Sequence, residues 1–534
     1  MIFVGKGTRL DYFFAIVFFL IILMIIRLFD IQVLSHTYLY RRALSQWQGS
    51  SREEIRGGVF DRDGRSLLDS QKVNYALISP RWLKESEIEY LKKNNILSFE
   101  DPYKPQSVRL SPENIAVIKK LLGRTPGVFV YQKEKRYGQN ALATHVVGYK
   151  GKAGIEKTFD KFLNGGRIKT GIIYDGFGQP IPGASKENLF TEKWGVWLTI
   201  DREIQAAVEE VMDTEIQRGA VVVLDAKTGE ILAMASRPNY KQSDLDAYLN
   251  QKDAPLINRA VEAYIPGSIF KIVVLAAALE EKVTDLDEEF HCSGAIRVGG
   301  NVIKCYSHEK GGHGRLTLKD ALAYSCNSVF IELGMRLGKE RVLEYAEKFG
   351  LGERVLSDLS EEKTGFIPAS RDVYREDLGN LSIGQGKLQV TPLQAAQMLL
   401  IIANDGIKIK PYLVKKVVDS TGSTVTADTP ATRFSERVIS KDTARKVKEA
   451  LRAVTQYGTG MLAAPSKVHV EVAGKTGTAE LGDGNNHAWF VGYYPAEDPR
   501  YIVTVFVEKG QSGPFKAAPI FGKIVEKIYY LKGR

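Results

Sequence analysis

The chain has 534 residues, of which 44% are hydrophobic and 25% charged, and 73 basic residues against 63 acidic ones give a net charge of +10. These proportions are typical of globular domains, so they exclude bulk disorder, a collagen-like sequence and a multi-span membrane protein. The length exceeds what one hydrophobic core usually supports, and we expect at least two domains. The modest basic excess suits an anionic surface or polymer, and we expect no nucleic acid among the partners.

A strongly apolar segment lies near the N-terminus. Residues 12–34 carry only two charged side chains, and their number suits one membrane span. The alternative is a cleavable signal peptide, but residues 27–39 offer no A-x-A-like cleavage site. We therefore predict a single-pass membrane anchor at 12–34, a short cytoplasmic tail at 1–11 and an extracytoplasmic location for the rest of the chain.

The next region, residues 40–193, is polar and irregular, with short strand-like runs such as 73–79 and 127–131. Nothing in it resembles a nucleophile elbow or a phosphate-binding loop. We therefore expect a non-catalytic module here.

From Trp194 onwards the pattern becomes that of a layered domain. Asp201 is placed to cap a helix over 204–212, and a last helix is predicted over 519–530. Strands are predicted at both ends of this region, with helical segments between them: 196–199, 220–224, 230–235, 468–478, 487–494 and 501–508. A sheet divided in this way is typical of an α+β fold.

The first candidate for chemistry is the segment Pro266–Lys271, which opens an apolar helical run. Ser268 and Lys271 are the only polar side chains from Ile265 to Leu279, and at i and i+3 they share one helix face. Burial lowers the pKa of a lysine, so the pair has the arrangement of a nucleophile and its base. The alternative is that Ser268 only caps the helix and Lys271 extends to the surface.

The second candidate is the Ser-Cys-Asn segment at 325–327, which lies between two predicted helices. A capping box at Thr317–Asp320 opens the first helix, and 329–337 forms the second. Ser325 and Asn327 would present a hydroxyl and an amide to a cleft, although both residue types are also common helix caps.

The third candidate is the Lys-Thr-Gly-Thr segment at 475–478, which ends a predicted strand. Gly477 lets another backbone approach closely, and an edge strand of this kind could bind an extended peptide. The Lys475 ammonium and the hydroxyls of Thr476 and Thr478 could hold a carboxylate. The alternative is an ordinary solvated strand end.

The three segments occur in the order S-x-x-K, S-x-N and K-T-G, a combination far more specific than any one of them. In this respect the chain resembles the class B penicillin-binding proteins, monofunctional D,D-transpeptidases of bacterial cell-wall synthesis. The resemblance covers nearly the whole chain, and these further segments carry it: 56–64, 145–148, 154–160, 384–386, 391–394 and 487–492. Ile265 and Asp63 depart from the family pattern, which often has Glu and usually Asn there, and neither departure affects the reactive groups.

The resemblance implies an architecture. It combines the transmembrane helix at 12–34 with an irregular, mostly-β pedestal or dimerisation module at 40–193. A β-lactamase-like penicilloyl-serine transferase domain would follow at 194–534, with a central antiparallel sheet flanked by helices.

The resemblance also implies roles for single residues. The implied catalytic residues are Ser268 as nucleophile, Lys271 as its base, Ser325 as proton relay, Asn327 as a contact to the substrate amide and Lys475 as the group that orients Ser325. The implied substrate-binding residues are Thr476, Gly477 and Thr478, and the backbone N–H groups of Ser268 and Thr478 would form the oxyanion hole.

The implied reaction uses no metal and no organic cofactor. Its substrates would be peptidoglycan stem peptides, and β-lactams would acylate Ser268 as substrate mimics. The implied protein partner is a membrane-embedded glycan polymerase of the SEDS type, and the N-terminal module would also offer a surface for a homodimer. The residues do not distinguish a role in division, elongation or sporulation, and they do not identify the stem-peptide diamino acid.

Two other classes of function remain open. A β-lactamase or a D,D-carboxypeptidase would keep the first and third motifs, but neither usually carries the 56–64 segment behind an uncleaved anchor. A non-catalytic scaffold of the division or elongation machinery, or a β-lactam sensor, is the other alternative. A sensor needs a signalling region, and little chain precedes Tyr12.

Histidines and cysteines offer weaker signals. The spacing from His308 to His313 is one residue too long for the H-E-x-x-H motif, and glycines interrupt the helix that it needs, so we expect no zinc site there. Cys292 and Cys305 could form a disulfide in an exported chain, and the sequence leaves this open. Cys326 is predicted to be a small buried residue.

Overall fold

The computed structural model describes residues 9–35, 38–39, 48–97, 106–121, 127–172, 185–188, 194–427 and 435–533. The chain divides into two compact units. Unit 1 comprises Met1–Ile55, Lys72–Lys135 and Gly166–Phe190, and unit 2 comprises Arg56–Gln71, Arg136–Gly165 and Thr191–Arg534.

The helices and strands are numbered along the chain. The helices are α1 Arg9–Phe29, α2 Glu85–Lys93, α3 Pro112–Leu121, α4 Thr144–Val147, α5 Gly154–Thr158, α6 Asp160–Leu163, α7 Arg202–Glu215, α8 Lys271–Glu280, α9 Leu318–Ala323, α10 Asn327–Lys348, α11 Arg375–Ser382, α12 Pro392–Ala403, α13 Lys441–Gln456 and α14 Ala518–Lys532. The strands are β1 Gln48–Ile55, β2 Gly58–Phe60, β3 Gln71–Ile78, β4 Gln106–Arg109, β5 Val128–Lys135, β6 Gly166–Ile172, β7 Ser185–Asn188, β8 Gly195–Leu198, β9 Gly219–Asp225, β10 Ile231–Arg237, β11 Glu289–Cys292, β12 Ala295–Val298, β13 Asn301–Lys304, β14 Gly314–Thr317, β15 Ile407–Ile409, β16 Val414–Val418, β17 Thr424–Ala427, β18 Ser435–Arg437, β19 Ala473–Glu480, β20 Asn486–Tyr494 and β21 Tyr501–Val507.

The N-terminal helix α1 continues into a π-helical turn, and Tyr12–Leu34 together form an apolar segment of 23 residues with a mean hydropathy of 2.8. None of this segment is buried against the rest of the protein. Its length matches the hydrocarbon core of a bilayer. Within the described ranges it is the one helix long and apolar enough to cross a membrane, in agreement with the predicted anchor.

Unit 1 is built around two small sheets. One has the strand order β1-β6-β7 and the other the order β4-β3-β5. The second sheet packs with helices α2 and α3 through a core that includes Ala76, Ile78, Leu91 and Ile118. The strands predicted over 73–79 and 127–131 are thus present as β3 and β5.

The central sheet of unit 2 has five strands in the order β10-β9-β21-β20-β19, and all neighbouring pairs are antiparallel. Strands from the two ends of the domain meet where β9 pairs with β21, from Gly219 opposite Val507 to Asp225 opposite Tyr501. The predicted α+β class, with an antiparallel sheet assembled from both ends of the domain, is confirmed.

Helices cover both faces of this sheet. Val221 and Val223 of β9 belong to one apolar core with α7 and α14, whereas Val222 and Leu224 belong to another with α8 and α12. Successive residues of a strand point to opposite faces, so a strand covered on both sides is apolar at every position. This explains why 220–224 is an unbroken hydrophobic run and why 501–507 is apolar at every position except Thr504.

One strand prediction was too long. The sequence predicts a strand from 468 to 478, but β19 begins only at Ala473. The carbonyl group of Val472 accepts a hydrogen bond from the Thr455 hydroxyl at 2.6 Å, and that of Glu471 accepts one from the Ala496 N–H group. These carbonyls are therefore bonded outside the sheet, which an apolar alternation along 468–472 does not reveal.

Two segments before residue 194 belong to unit 2, and a buried carboxylate joins them. The Glu156 side chain is fully buried and pairs with Arg56 at 2.5 Å and with Arg136 at 2.6 Å. The Tyr137 hydroxyl donates to the same carboxylate at 2.9 Å. Glu156 thus links the segments 56–71 and 136–165. The predicted division at residue 194 stays a prediction.

Replacing Glu156 by alanine is expected to lower the free energy of unfolding of unit 2 by about 3–5 kcal/mol, because Arg56 and Arg136 would both lose the buried carboxylate that they share. Of the two arginines, Arg56 keeps a second carboxylate partner, Asp160. Urea denaturation of the full chain in detergent, followed by tryptophan fluorescence, measures the change. Glu309→Gln removes an exposed carboxylate and is the control, expected within about 0.5 kcal/mol of the wild type. Equal stability of the two variants would contradict this prediction.

Candidate active site

The three sequence motifs meet at the side chain of Ser325. Lys271 donates from Nζ to the Ser325 carbonyl oxygen at 2.7 Å and to Asn327 Oδ1 at 2.8 Å. Lys475 donates from Nζ to Ser325 Oγ at 2.9 Å, and Lys271 Nζ lies 3.3 Å from the same hydroxyl. Two lysines that are far apart in the sequence therefore converge on one serine.

Ser268 lies in the 3₁₀ turn Gly267–Phe270, which leads directly into α8. The turn lies against β19: a Cβ atom on Gly267, whose φ is +57°, would come within 2.5 Å of the Thr478 carbonyl oxygen. Ser268 is half-buried, and among the described residues its hydroxyl has no hydrogen bond. The serine is therefore next to the third motif and is free to meet a substrate.

Glycine is required at two other positions around this turn. A Cβ atom on Gly477 would lie 3.0 Å from the Pro266 carbonyl oxygen, and one on Gly384 would lie 2.1 Å from the Gly267 carbonyl oxygen. The Gly267 N–H group donates to the Gly384 carbonyl at 2.9 Å. The sequence alone indicates no role for 384–386, whereas the structure shows that Gly384 supports the turn that carries Ser268.

Lys271 is fully buried, which excludes the alternative that it extends to the surface. The helix α8 that it opens is apolar on all sides, and Nζ lies 5.5 Å from the centre of the Phe330 ring. Burial disfavours the ammonium form and lowers the pKa of Lys271 to about 8. With this pKa, about one tenth of the side chain is a neutral amine at pH 7, and a proton acceptor must be in that form.

Lys475 is also fully buried, so the third motif is not a solvated strand end. Burial, followed by the positive charge of Lys271, lowers the pKa of Lys475 well below its usual value. Besides the Ser325 hydroxyl, its Nζ contacts the Thr476 carbonyl oxygen at 3.0 Å. The strand β19 is at the edge of the five-stranded sheet, as predicted.

Ser325 has a strained backbone. It lies between α9 and α10 with a φ of +54°, in the left-handed region that residues with a Cβ atom rarely adopt. Such a conformation costs about 1–2 kcal/mol, and it persists where the surroundings enforce it. Hydrogen bonds from the N–H groups of Ser325 and Cys326 to carbonyls of α9 hold it in place.

The hydroxyls of the third motif are also engaged. The Thr476 hydroxyl lies 2.8 Å from that of Thr459, and Thr478 Oγ1 accepts a hydrogen bond from the Gly513 N–H group at 3.2 Å. Gln385 donates from its amide to the Thr478 carbonyl oxygen at 3.4 Å. Thr459 belongs to none of the sequence motifs, and its place between Gly458 and Gly460 indicates only a tight turn.

This arrangement has the parts that acyl transfer through a serine needs. Ser268 is an accessible hydroxyl, Lys271 is a buried amine with a lowered pKa, and Lys475 polarises a second hydroxyl on Ser325. The edge strand β19 offers backbone groups to an extended peptide. The structure brings all the predicted site residues into one region of unit 2.

The sequence resemblance implies that penicillins acylate Ser268. The rate of that acylation is expected to rise with pH, by about tenfold per pH unit below about pH 8, and to level off above it. If Lys271 accepts the proton of Ser268, its neutral amine is the active form, and the fraction in that form increases until the pH passes the pKa of about 8. Stopped-flow fluorescence with a labelled penicillin, corrected for hydrolysis of the free drug, measures the profile. A rate that falls over this range would contradict the assignment of Lys271.

Comparison with known proteins gives a consistent result. Residues 219–526 match the model of the penicillin binding protein transpeptidase domain. The chain is 32% identical to stage V sporulation protein D of Bacillus subtilis, over 96% of this chain and 84% of that protein. It is also 32% identical to a peptidoglycan D,D-transpeptidase of Mycolicibacterium smegmatis, over 74% of this chain and 83% of that protein.

A solved structure is similar over the whole length. It is a chain from a peptidoglycan synthase complex, described for the structural coordination of polymerization and crosslinking. The TM-score is 0.71 at 27% sequence identity, and the match covers 99% of both chains.

Proposed function

Because the chain belongs to the penicillin-binding protein transpeptidase family, we propose that it is a peptidoglycan D,D-transpeptidase that cross-links stem peptides through an acyl-enzyme on Ser268. One observation carries this proposal above all: two buried lysines converge on Ser325 beside the turn that holds Ser268. The same serine would be acylated by β-lactams, as the name of the family implies.

The first step is attack of Ser268 Oγ on the penultimate D-alanyl carbonyl of a donor stem peptide. Lys271 takes the hydroxyl proton as a neutral amine, which its burial favours. The backbone N–H groups of Ser268 and Thr478 stabilise the oxyanion that forms. Loss of one such donor typically slows a reaction by about 100- to 1,000-fold.

The second step expels D-alanine. Ser325 delivers a proton to the leaving amine, and Lys475, which donates to the Ser325 hydroxyl at 2.9 Å, orients that group. Asn327 binds the backbone amide of the substrate, while Thr476, Gly477 and Thr478 bind its terminal carboxylate region. An amine from a neighbouring stem then attacks the ester, and Ser268 regains its proton.

A donor–acceptor assay tests this function. The full chain in detergent is supplied with a pentapeptide-bearing glycan polymer that contains both donor and acceptor stems. We expect cross-linked product with one D-alanine released for each bond formed. D-alanine release without cross-links would indicate a carboxypeptidase, rapid β-lactam destruction would indicate a β-lactamase, and neither activity would leave a scaffold as the function.

We further propose that the protein works with a membrane-embedded SEDS-type glycan polymerase. The sequence of residues 40–193 indicates a non-catalytic module, so the glycan strand would come from another protein. The similar synthase-complex structure is also described for the coordination of polymerization and crosslinking. Co-purification of the full chain with such a polymerase from detergent tests this pairing. Replacing residues 12–34 by an unrelated transmembrane helix is expected to weaken it if the anchor takes part.

The proposed location is the cell membrane, with the catalytic unit outside the cytoplasm. The apolar helix at Tyr12–Leu34 supports a single-pass anchor. Protease added to intact spheroplasts should then degrade the chain, whereas a cytoplasmic marker should survive.

Residues 40–193 are proposed to act as a pedestal and to offer a surface for a homodimer. Crosslinking of full-length chains in detergent tests the dimer.

A further inference from the structure

All three cysteines of the chain lie in one buried cluster with His313. Cys292, Cys305 and Cys326 are at most 2% exposed, and all are free thiols, so the disulfide between Cys292 and Cys305 that the sequence left open is not formed. Their Sγ atoms and a ring nitrogen of His313 all lie within 4.8 Å of one another. The mechanism proposed above uses none of these four side chains.

Two distances in the cluster are close to those between the ligands of a tetrahedral metal site. Zinc holds sulfur at about 2.3 Å and nitrogen at about 2.0–2.1 Å, so tetrahedral ligands stand about 3.8 Å apart for two sulfurs and about 3.5 Å apart for sulfur and nitrogen. The Sγ atoms of Cys305 and Cys326 are 4.0 Å apart, and Cys305 Sγ is 3.6 Å from His313 Nδ1. A disulfide would require sulfurs at about 2.05 Å.

Four separate places in the fold supply these side chains. Cys292 ends β11, Cys305 follows β13, His313 precedes β14, and Cys326 lies between α9 and α10. The Asn327 N–H group points at Cys305 Sγ at 3.4 Å, a contact that favours a thiolate. All four positions lie within residues 292–326, and the folding of this stretch brings three thiols and an imidazole to one buried point.

The surroundings of the histidine fit a ligand as well. The Ser307 hydroxyl lies 3.1 Å from His313 Nδ1, and a metal ion would replace it as the partner of that nitrogen. The neighbouring His308 is exposed, and it is not a member of the cluster. The spacing of His308 and His313 alone does not reveal this set of ligands, because the three thiols join His313 only in the folded chain.

We propose that Cys292, Cys305, His313 and Cys326 bind one zinc ion as a structural site. Thiolates and imidazole are the ligands that zinc prefers, and four protein ligands leave no open position for catalysis. Each thiol exchanges its S–H bond for an S–Zn bond and releases its proton, so binding needs no oxidant. This proposal replaces the expectation that the protein holds no metal.

The site has a consequence for catalysis that rests on the proposed function. Cys326 lies between Ser325 and Asn327, which both contact Lys271. A metal that holds Cys326 would hold these two side chains in place and would help to maintain the strained backbone of Ser325. The ion would thus act as a positioning element for the second motif.

Metal analysis of the full chain, purified in detergent without chelators, tests the site. We expect about one zinc per chain and all three thiols titratable after denaturation. His313→Ala should lower the zinc affinity by at least about 10- to 100-fold, whereas His308→Ala, the matched control, should keep it. Cobalt added to the stripped wild type should give thiolate-to-cobalt charge-transfer bands, a result that does not depend on the folding of any variant.

Two results would overturn the proposal. A chain with no zinc and a single titratable thiol would contain a disulfide, and a chain with free thiols that takes up neither zinc nor cobalt would have no site. These measurements need no activity, so their outcome is independent of the proposed function. For the positioning role, a chelator should slow penicillin acylation by about tenfold or more, and zinc should restore it in the wild type but not in His313→Ala.

Discussion

Replacing Ser268 by alanine is expected to abolish the covalent penicillin adduct, with a loss of acylation rate on the order of 10⁶-fold, as when the nucleophile of other serine enzymes is removed. Ser268 is half-buried in the turn beside β19, and its hydroxyl has no competing hydrogen bond among the described residues. The alanine variant should fold normally, because it loses only this one unbonded hydroxyl.

Intact-mass spectrometry after a pulse of fluorescent penicillin measures this loss, with the wild type and the variant side by side. We expect one long-lived adduct on the wild type and none on Ser268→Ala. Ser360→Ala, which removes an exposed serine hydroxyl of unit 2, is the control and should be labelled like the wild type. An adduct that persists on Ser268→Ala would assign the nucleophile to another residue.

The second large effect is expected from Lys271→Met, which should slow acylation by about 10²- to 10⁴-fold, the usual contribution of a general base. Methionine has a similar length and is apolar, so it suits a fully buried position at the start of α8. Methionine removes a costly buried ammonium group but also leaves the Ser325 carbonyl and Asn327 Oδ1 without their donor. Because these two effects oppose each other, the variant should stay folded, with a melting temperature only a few degrees below that of the wild type.

The combination of lost activity and retained stability separates a base from a structural lysine. Circular dichroism on heating gives the melting temperature, and the rate of penicillin labelling gives the activity. Lys310→Met, at an exposed lysine, is the matched control and should change neither. Labelling of Lys271→Met at the wild-type rate would show that another group accepts the proton of Ser268.

Much of the local structure could be predicted from short stretches of sequence. The cap of α7 is an example: Asp201 accepts hydrogen bonds from the N–H groups of Glu203 and Ile204, as its residue type and place indicated. Likewise, the Thr317 hydroxyl accepts from the Asp320 N–H group at the start of α9. Caps and strand periodicity depend on residues a few positions apart, and sequence reasoning is reliable over such distances.

The sequence predicted which residues form the candidate site, but it did not predict the contacts between them. The sequence placed Ser268 and Lys271 on one helix face, yet the hydrogen bonds of Lys271 in the structure run to residues of the second motif. The contact between Thr459 and Thr476 was not foreseen, since neither strand periodicity nor any motif pointed to Thr459. Contacts of this range depend on how helices and strands pack, and a single sequence does not show that directly.

By itself, the sequence determined the apolar anchor, the α+β class and the three motifs, because periodicity, caps and motif residues depend on neighbouring positions. Only the tertiary structure decided that segments 56–71 and 136–165 join unit 2 around the buried Glu156. It alone brought Lys475 to Ser325, and gathered three cysteines and His313 into one cluster. In each case burial removes polar groups from water, which costs free energy. That cost is offset only when each group meets a partner on another element, either an opposite charge or a shared ligand.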